Sequence, residues 1–291
     1  MAPPQLRRAA AGPPCTAAAQ SHLQRRALLS LAALTALTDL SMVGPAKASK
    51  LPEAVDRGWA AIGGGPSDLV FPQDFLGTWN VESVLTSVEL PLGPEFVPDM
   101  AVVQRAQRED LNQRIRYQVA FVRNGRGEVV PDRRFNTASL LHTYTGQANA
   151  DVMKRIQWNL DDPNMLQIHL PGGLEVMTRV MRRLEERPSQ DRLTTSEYYE
   201  QMIESPEKAT PRVKGSQCFT KYHWRSPGAG DQGPVIVATQ VVSDYLTAFD
   251  DPGLMVRAGS KPVTIYTYKM AFWKAGQRTA QLTAQGPAAV H

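Results

Sequence analysis

The sequence predicts an all-β fold, a single antiparallel up-and-down β-barrel of about eight to ten strands. Two observations carry this prediction. Hydrophobicity alternates with a period of two along many short segments, and Gly, Pro, Asn and Asp separate these segments. Each alternating run has one apolar and one polar face, which is typical of antiparallel strands with one face on a core. A β-sandwich of the same strands is the alternative.

Residues 1–48 have the composition of a cleavable targeting peptide. Residues 1–38 contain no acidic residue, and their arginines stand among many alanines and prolines, as in organelle transit peptides. The pair Arg25-Arg26 precedes an apolar run of 12 residues, too short to cross a bilayer as a helix. This second signal is typical of export, and its paired arginines indicate the twin-arginine route.

The small residues Ala46 and Ala48 form an A-x-A cleavage pattern at the end of this leader. Two signals in series resemble the bipartite leader of chloroplast proteins that enter the thylakoid lumen. We therefore expect cleavage after Ala48 and a location in the thylakoid lumen, with the bacterial periplasm as the alternative.

Removal of the leader changes the charge of the protein. Residues 1–48 hold five of the 32 basic residues and one of the 28 acidic residues, which leaves 27 of each. A chain without net charge lacks the basic face that binds phosphates, so nucleic acid is not an expected partner. Cys218 is the only cysteine that remains, so no internal disulfide is expected.

The chain after the leader divides into three parts. Residues 49–70 predict a short helix followed by a Gly-rich hinge, residues 71–276 predict the β-barrel domain, and residues 277–291 predict a disordered tail. We expect no transmembrane segment in this chain.

Period-two alternation is clearest in five segments of the barrel domain. These lie near 79–85, 114–121, 155–160, 166–170 and 174–180. Segments rich in Thr, Val, Ile and aromatic residues supply five further candidate strands, near 133–145, 194–204, 212–225, 234–248 and 262–273. Residues 91–113 predict a long loop or short helix, and the charged residues 182–192 predict a solvated hairpin end.

The stretch Phe71-Pro72-Gln73-Asp74-Phe75-Leu76-Gly77-Thr78-Trp79 opens the first strand with Gly-x-Trp. Here the chain resembles the lipocalin-like, or calycin, superfamily. The longer stretch is similar to an uncharacterised family of plant, algal and cyanobacterial proteins. The resemblance implies that Gly77 and Trp79 close one end of the barrel. It also implies that a basic residue after the last strand, Lys274 or Arg278, packs over the Trp79 ring.

No residue pattern predicts a catalytic centre, a metal site or a cofactor. The histidines lack metal-ligand spacing, and no Gly-x-Ser-x-Gly elbow occurs. Cys218 and His223 lie an odd number of residues apart, so a regular strand places them on opposite faces. These patterns favour a protein without enzymatic activity.

Aromatic residues are the candidate ligand-binding residues. Large inward-facing aromatic rings with a few hydroxyl groups form apolar pockets that also orient a ligand. The alternative is that the same rings fill the core. The candidates are Trp79, Tyr117, Trp158, Tyr198, Tyr222 and Trp224.

Three functional hypotheses follow from these patterns. The first is a structural or assembly factor of the thylakoid lumen that contacts a photosynthetic membrane complex. The alternative is a lipocalin-like carrier of a small apolar ligand such as a pigment, prenylquinone or lipid. An enzyme acting on such a ligand is the third.

Overall fold

The computed structural model describes residues 66–206, 210–226 and 231–276. The targeting peptide with Ala46 and Ala48, the helix expected after it and the tail after residue 276 lie outside the described residues. The hinge glycines and Arg278 lie outside them as well.

Ten strands form one antiparallel sheet in the order β3-β2-β1-β10-β9-β8-β7-β6-β5-β4. Strands that follow each other in the chain pair, except β3 and β4, which form the two edges of the sheet, and β1 also pairs with β10. The sheet curls into a half-barrel, which confirms the all-β barrel prediction and excludes the sandwich. The strands are β1 Gly77–Glu89, β2 Arg114–Arg123, β3 Val129–Pro131, β4 Ile156–Asn159, β5 Asp162–Leu170, β6 Leu174–Ser189, β7 Arg192–Glu204, β8 Arg212–Trp224, β9 Ile236–Tyr245 and β10 Thr264–Lys274.

Four helices interrupt the strands in the described chain. Helix α1 continues into a π-helical turn, Ala106–Asp110. Of the two alternatives predicted for residues 91–113, a long loop or a short helix, the structure contains the short helix. Two 3₁₀ turns precede β1 and α1, at Gln73–Phe75 and Pro94–Phe96. The helices are α1 Met100–Arg105, α2 Arg133–Thr145, α3 Asn149–Met153 and α4 Pro252–Ala258.

The prediction of a strand near residues 133–145 is wrong, because this segment forms α2. Its ends carry the usual helix signals. The Asp132 side chain accepts a hydrogen bond from the Phe135 amide as N-cap, and Gly146 ends the helix with a φ of 68°. These local caps favour the helix over the β-propensity of its Phe, Thr and Tyr residues.

Helix α2 occupies the place beside β2 where another strand would lie. Beyond the part that pairs with the short β3, the outer edge of β2 has backbone N–H and C=O groups without a strand partner. Such groups cost free energy if they are buried without hydrogen bonds. One polar stripe of α2 supplies these partners. Asn136 bonds both the amide and the carbonyl of Ala120 (2.6 and 3.2 Å), Ser139 Oγ accepts from Gln118 N (2.9 Å), and Thr143 Oγ1 donates to Arg116 O (3.2 Å).

The opposite stripe of α2 packs on the other edge of the sheet. Ala138 and Leu141 form a buried cluster with Ile156 of β4, Ile168 of β5 and Val176 of β6. Helix α2 therefore lies between β2 and β4 and covers the side on which β3 and β4 do not pair.

The β6–β7 hairpin is only partly solvated, although most residues near its turn are polar or charged. Ser189 and Arg192 are exposed, as the charge pattern predicts, but Arg183 is buried in the interior. A β-bulge between Val180 and Arg182 changes the alternation in β6 and turns Arg183 inward.

Candidate functional site

The closed end of the half-barrel is built around Trp79, which is 1% exposed. Its indole Nε1 donates a hydrogen bond to Phe75 O at 2.6 Å. Lys274 Nζ lies 4.5 Å from the centroid of the Trp79 ring and donates to Leu76 O at 2.6 Å. Of the two basic residues expected over this ring, Lys274 is the one observed.

Glycine at position 77 fits this arrangement for a backbone reason. Gly77 has a φ of 109°, a conformation that side-chain-bearing residues rarely adopt. A Cβ at this position would also lie 3.5 Å from Lys274 Nζ. The Gly-x-Trp pattern thus serves the backbone turn into β1 and the placement of Lys274 together.

A packed aromatic cluster fills the interior above Trp79. Ring centroids within it lie 4.7 to 5.6 Å apart in tilted and edge-on arrangements, which favour stability. Trp79, Tyr222 and Trp224, three of the predicted ligand residues, belong to this core. The cluster contains Phe71, Phe75, Phe121, Tyr222 and Trp224.

Two further predicted ligand residues lie elsewhere. Tyr198 lies on the outer face of β7, where its ring contacts that of Tyr245 at 6.2 Å. Trp158 packs half-buried against the cluster under α2, and its buried Nε1 has no hydrogen-bond partner among the described residues. The six predicted residues therefore do not line one common cavity.

Tyr117 is the predicted residue that lies on the inner face of the half-barrel and remains partly exposed. It pairs with Val81 across β1–β2, and Tyr268 pairs with Leu85 across β1–β10. Directly paired residues in an antiparallel sheet project to the same face. Since Val81 and Leu85 are buried in the core, both tyrosines point inward, yet both are only half-buried.

Tyr144 of α2 completes a group of three tyrosines. The stripe Arg133, Thr137, Leu140 and Tyr144 follows the helical period and faces the interior. Burial raises the pKa of Tyr117 above its usual range, and the neighbouring Tyr144 raises it further. Burial and Tyr144 likewise raise the pKa of Tyr268, so Tyr144 is a near neighbour of both rings.

Tyr117 and Tyr268 combine depth with partial exposure, and the inner surface around them is called the tyrosine pocket below. The rings of Tyr117 and Tyr268 lie deep enough among protein atoms for burial to dominate their pKa shifts. Part of each ring is nevertheless accessible to solvent. Rings in a filled core would not be exposed to solvent, and rings on the outer face would not be desolvated. Half-buried Ile115 and Leu111 extend the same wall.

The π-helical turn after α1 packs in one cluster with Leu85 and Tyr266, and Tyr268 packs against that cluster. Val103 and Ala106 are buried there, and Leu111 N donates to Ala106 O at 2.9 Å in the i to i+5 pattern. Asn112, with a φ of 61°, then bonds the backbone of Leu85. Such π turns are frequent at functional sites, and this one positions Leu111 beside the pocket.

A buried charge cluster lies on the inner side of β6, β7 and α2. Arg133 donates to both oxygens of Glu197, at 3.1 and 2.8 Å, and to Asp68 Oδ1 at 2.6 Å. Arg183 Nε donates to Glu197 Oε1 at 2.5 Å. Burial lowers the pKa of Arg133, but the two carboxylates outweigh burial and raise it overall.

This cluster is an anchor for the chain that enters the half-barrel. Arg183 also donates to the carbonyls of Pro66 and Ser67 and to Asn164 Oδ1. Two guanidinium groups and two carboxylates balance one another, so the cluster carries no net charge. It ties the described N-terminal segment and the start of α2 to β5, β6 and β7.

Sequence reasoning missed Tyr144, Tyr268 and the charge cluster. Tyr144 was hidden because residues 133–145 were interpreted as a strand; the helical spacing of 133, 137, 140 and 144 is the signal that places it inside. Tyr268 alternates with Lys269 and pairs with Leu85, but only the pairing shows which face is inner. Arg183 was hidden by the bulge in β6.

Metal ligands and membrane spans were also sought in the described part of the chain. There, no group of three or more His, Cys, Asp or Glu residues is placed to hold a metal ion. None of the helices described has the length and apolar character needed to cross a membrane.

The fold is a curled antiparallel half-barrel whose inner face carries partly exposed tyrosines. Residues 63–276 match the DUF6816 family, a domain of unknown function, and the chain belongs to that family. No curated protein matches the chain, and no solved structure matches it.

Proposed function

We propose that this protein binds a small, mostly apolar molecule in the pocket formed by Tyr117, Tyr144 and Tyr268. The observation that carries the proposal is the accessibility of inward-facing rings that lie deep in the protein. Pockets of this kind bind ligands through apolar walls and orient them through a few polar groups. The three phenol hydroxyls would supply those polar groups.

Kinship with lipocalin-like carriers is part of this proposal. It is supported by Gly-x-Trp at the start of β1, by the packing of Lys274 on Trp79 and by the pairing of the first strand with the last. In such a protein one end is closed by the tryptophan and the other admits the ligand.

The thylakoid lumen is the proposed location, with the periplasm as the alternative. The support is the acid-free leader, the Arg25-Arg26 pair and the Ala46-Lys47-Ala48 pattern. N-terminal sequencing of the native protein should find Ser49 at or near the start. A start at Met1, or well beyond Phe71, contradicts the proposed leader.

Binding of Nile red, a neutral apolar dye, tests the ligand proposal. The protein from Ser49 onward should bind the dye with a stoichiometry of about one, with increased dye fluorescence and quenched tryptophan emission. Replacing Ile115 by Trp should fill the pocket from its wall and abolish binding, because a larger ring leaves no room for the dye.

A Val237→Trp variant is the matched control. Val237 lies on the outer face of β9 and is 41% exposed, so the added ring should leave dye binding unchanged. Absence of binding by the well-folded wild type contradicts the proposal. Equal binding by the Ile115→Trp variant would mean that the dye binds away from the tyrosines, which also contradicts the proposal.

A structural or assembly role at a photosynthetic membrane complex is the second candidate. It is favoured by two exposed apolar side chains near the β9–α4 connection, Phe249 and Val256, which are 71% and 78% exposed. Exposed large apolar residues close together in sequence are typical of contact sites. Their neighbour Leu254 packs with Phe96, so the connection is held against the body of the protein.

Co-migration with thylakoid complexes on native gels tests this role. The protein with both Phe249 and Val256 changed to Ser should lose co-migration while it retains Nile red binding. Serine at Met181 and Leu184, exposed apolar residues of β6, provides the control. Co-migration that survives the first pair of changes, or that is absent in the wild type, contradicts a docking role for this connection.

A further inference from the structure

We infer that residues 51–62 of this chain dock as an amphipathic helix on an apolar patch of the outer face of the sheet, formed by Met165, Met181 and Leu184. The outer patch is the name used below for these three side chains. This contact is independent of the proposed ligand. Its basis is the position of the patch beside the point where residues 51–62 enter the described chain.

The outer patch consists of exposed apolar side chains on two neighbouring strands. Met165, Met181 and Leu184 are 36%, 45% and 43% exposed. Met165 pairs with the exposed Arg179 across β5–β6, and Met181 lies in the bulge of β6. Leu184 follows the inward-facing Arg183, so strand alternation places it on the outer face. Exposed apolar residues that lie together are typical of contact sites.

Strand β6 has an open edge beside this patch. The β5–β6 ladder extends only to Met165 and Arg179, whereas the β6–β7 ladder continues to Ser189. From Val180 onward, the side of β6 opposite β7 therefore has no strand partner in the described chain. A segment of chain can pass from the inner to the outer face of the sheet around such an edge.

The entering chain is fixed at this open edge. Arg183 Nη1 donates to Pro66 O at 3.0 Å, and Nη2 of the same side chain donates to Pro163 O at 3.3 Å. Arg183 directly precedes Leu184, and Pro163 lies two residues before Met165. The chain that precedes Pro66 therefore starts beside the outer patch.

The sequence of residues 51–62, which lie outside the described residues, predicts an occupant for the patch. Apolar side chains recur in it at the spacing of one side of a helix. Three glycines, residues 63–65, join it to Pro66 and span about 10 Å when extended. That length is enough to pass the edge of β6 and keeps the segment near it. The apolar residues are Leu51, Val55, Trp59 and Ile62.

Charge complementarity supports the same placement. Arg179 and Arg182 are exposed beside the outer patch. In a helix of residues 51–62, Asp56 lies about 100° from Val55, at the border of the apolar side. Its carboxylate can therefore face the two guanidinium groups, while Arg57 lies on the opposite side of the helix.

Trypsin cleavage after Arg57 tests the contact in the protein from Ser49 onward. Docking protects this bond, because a protease cleaves a segment only while it is released from its contacts. When Met181 and Leu184 are both changed to Ser, cleavage after Arg57 should be at least about tenfold faster. Cleavage after Lys50, outside the helix, is the internal reference. Equal cleavage after Arg57 in the two proteins overturns the inference.

Val237→Ser is the matched control for the outer patch. Val237 lies on the outer face of β9 and is 41% exposed, so its change should leave cleavage after Arg57 unaltered. An acceleration as large as that of the double variant contradicts the choice of patch. If the double variant does not fold, the single changes Leu184→Ser and Met165→Ser replace it, each with an expected acceleration of about threefold.

Trp59→Ser breaks the same contact from the side of the helix. It should accelerate cleavage after Arg57 as the double variant does, and the combination should add little, because both changes remove one contact. Accelerations that multiply would mean that Trp59 docks elsewhere, which contradicts the inference. Wild-type protection should also be independent of protein concentration. Protection that increases with concentration would indicate docking on a second copy and overturn docking within one chain.

Discussion

The two ends of the half-barrel contain similar aromatic residues in different packing. At the closed end, Phe75, Tyr222 and Trp79 are buried in contact with other rings and leave no exposed surface. At the open end, Tyr117 and Tyr268 also point inward but keep part of their rings exposed. The strands are the same in both regions, since β1, β2 and β10 contribute to each.

The difference comes from what covers each end. The segment Phe71–Phe75 folds under the closed end and inserts two phenylalanine rings into it. The open end is covered by the π-helical turn after α1 and by the end of α2, which contribute fewer large side chains. One end therefore stabilises the fold, and the other offers space to a ligand. The variants below test that separation of roles.

The largest effect is expected from Trp79→Ala at the closed end. It removes a fully buried ring together with its hydrogen bond to Phe75 O and should lower the free energy of unfolding by about 3–5 kcal/mol. Urea melts give the value.

Glu82 is the control on the same strand, because its side chain lies on the outer face. It pairs with the exposed Arg114 and Arg116, and exposed ion pairs contribute little, so Glu82→Ala should cost about 1 kcal/mol or less. If Glu82→Ala proves more damaging than Trp79→Ala, the closed end is not the main source of stability.

A comparable loss, about 3 kcal/mol, is expected for Glu197→Gln. The change removes the charge that both Arg133 and Arg183 contact and leaves Asp68 as the one carboxylate of this cluster for two buried guanidinium groups. Glu200→Gln on the outer face of β7 provides the comparison in the same melts and should be nearly neutral. Equal stability of the two variants would mean that the charge cluster does not anchor the entering chain.

Lys274→Met should have an intermediate effect on stability. It removes the cation over the Trp79 ring and the hydrogen bond to Leu76 O, with a cost of about 1–2 kcal/mol. Thermal melts against Lys269→Met, at an outward position of β10, measure it. Nile red binding should be unchanged in Lys274→Met, and a loss of binding would contradict the separation of the two ends.

The smallest effect concerns alkaline pH at the open end. The folded-state pKa values of Tyr117 and Tyr268 are raised above the unfolded value near 10. Their contribution to stability is therefore full below about pH 10 and is lost as the pH rises through the folded-state values. The free energy of unfolding of Tyr117→Phe should fall less steeply above pH 10 than that of the wild type. Identical slopes would indicate that Tyr117 is not desolvated.

The outcome of the sequence predictions reflects how local each signal was. Period-two alternation and turn residues located nine of the ten strands because both depend on neighbouring residues. The segment near 133–145 was predicted as a strand from the β-propensity of its own residues. The free edge of β2, which α2 covers, belongs to another part of the chain, so the segment itself gave no sign of it. Among the predicted ligand residues, Tyr117 lies in the pocket, while Trp79, Tyr222 and Trp224 fill the core.

The sequence alone determined the class of fold, the Gly77-x-Trp79 start of β1 and the inward direction of Tyr117, because alternation and turn chemistry act over a few residues. Only the tertiary structure decided which inward-facing rings are fully buried against other rings and which remain partly exposed. That distinction depends on segments far apart in the chain: Phe71 and Phe75 close one end, while α2 brings Tyr144 to Tyr117 and Tyr268 at the other. The partners of Arg183 likewise come from three separate parts of the chain, the entering segment, β5 and β7, and no local pattern in β6 could indicate them.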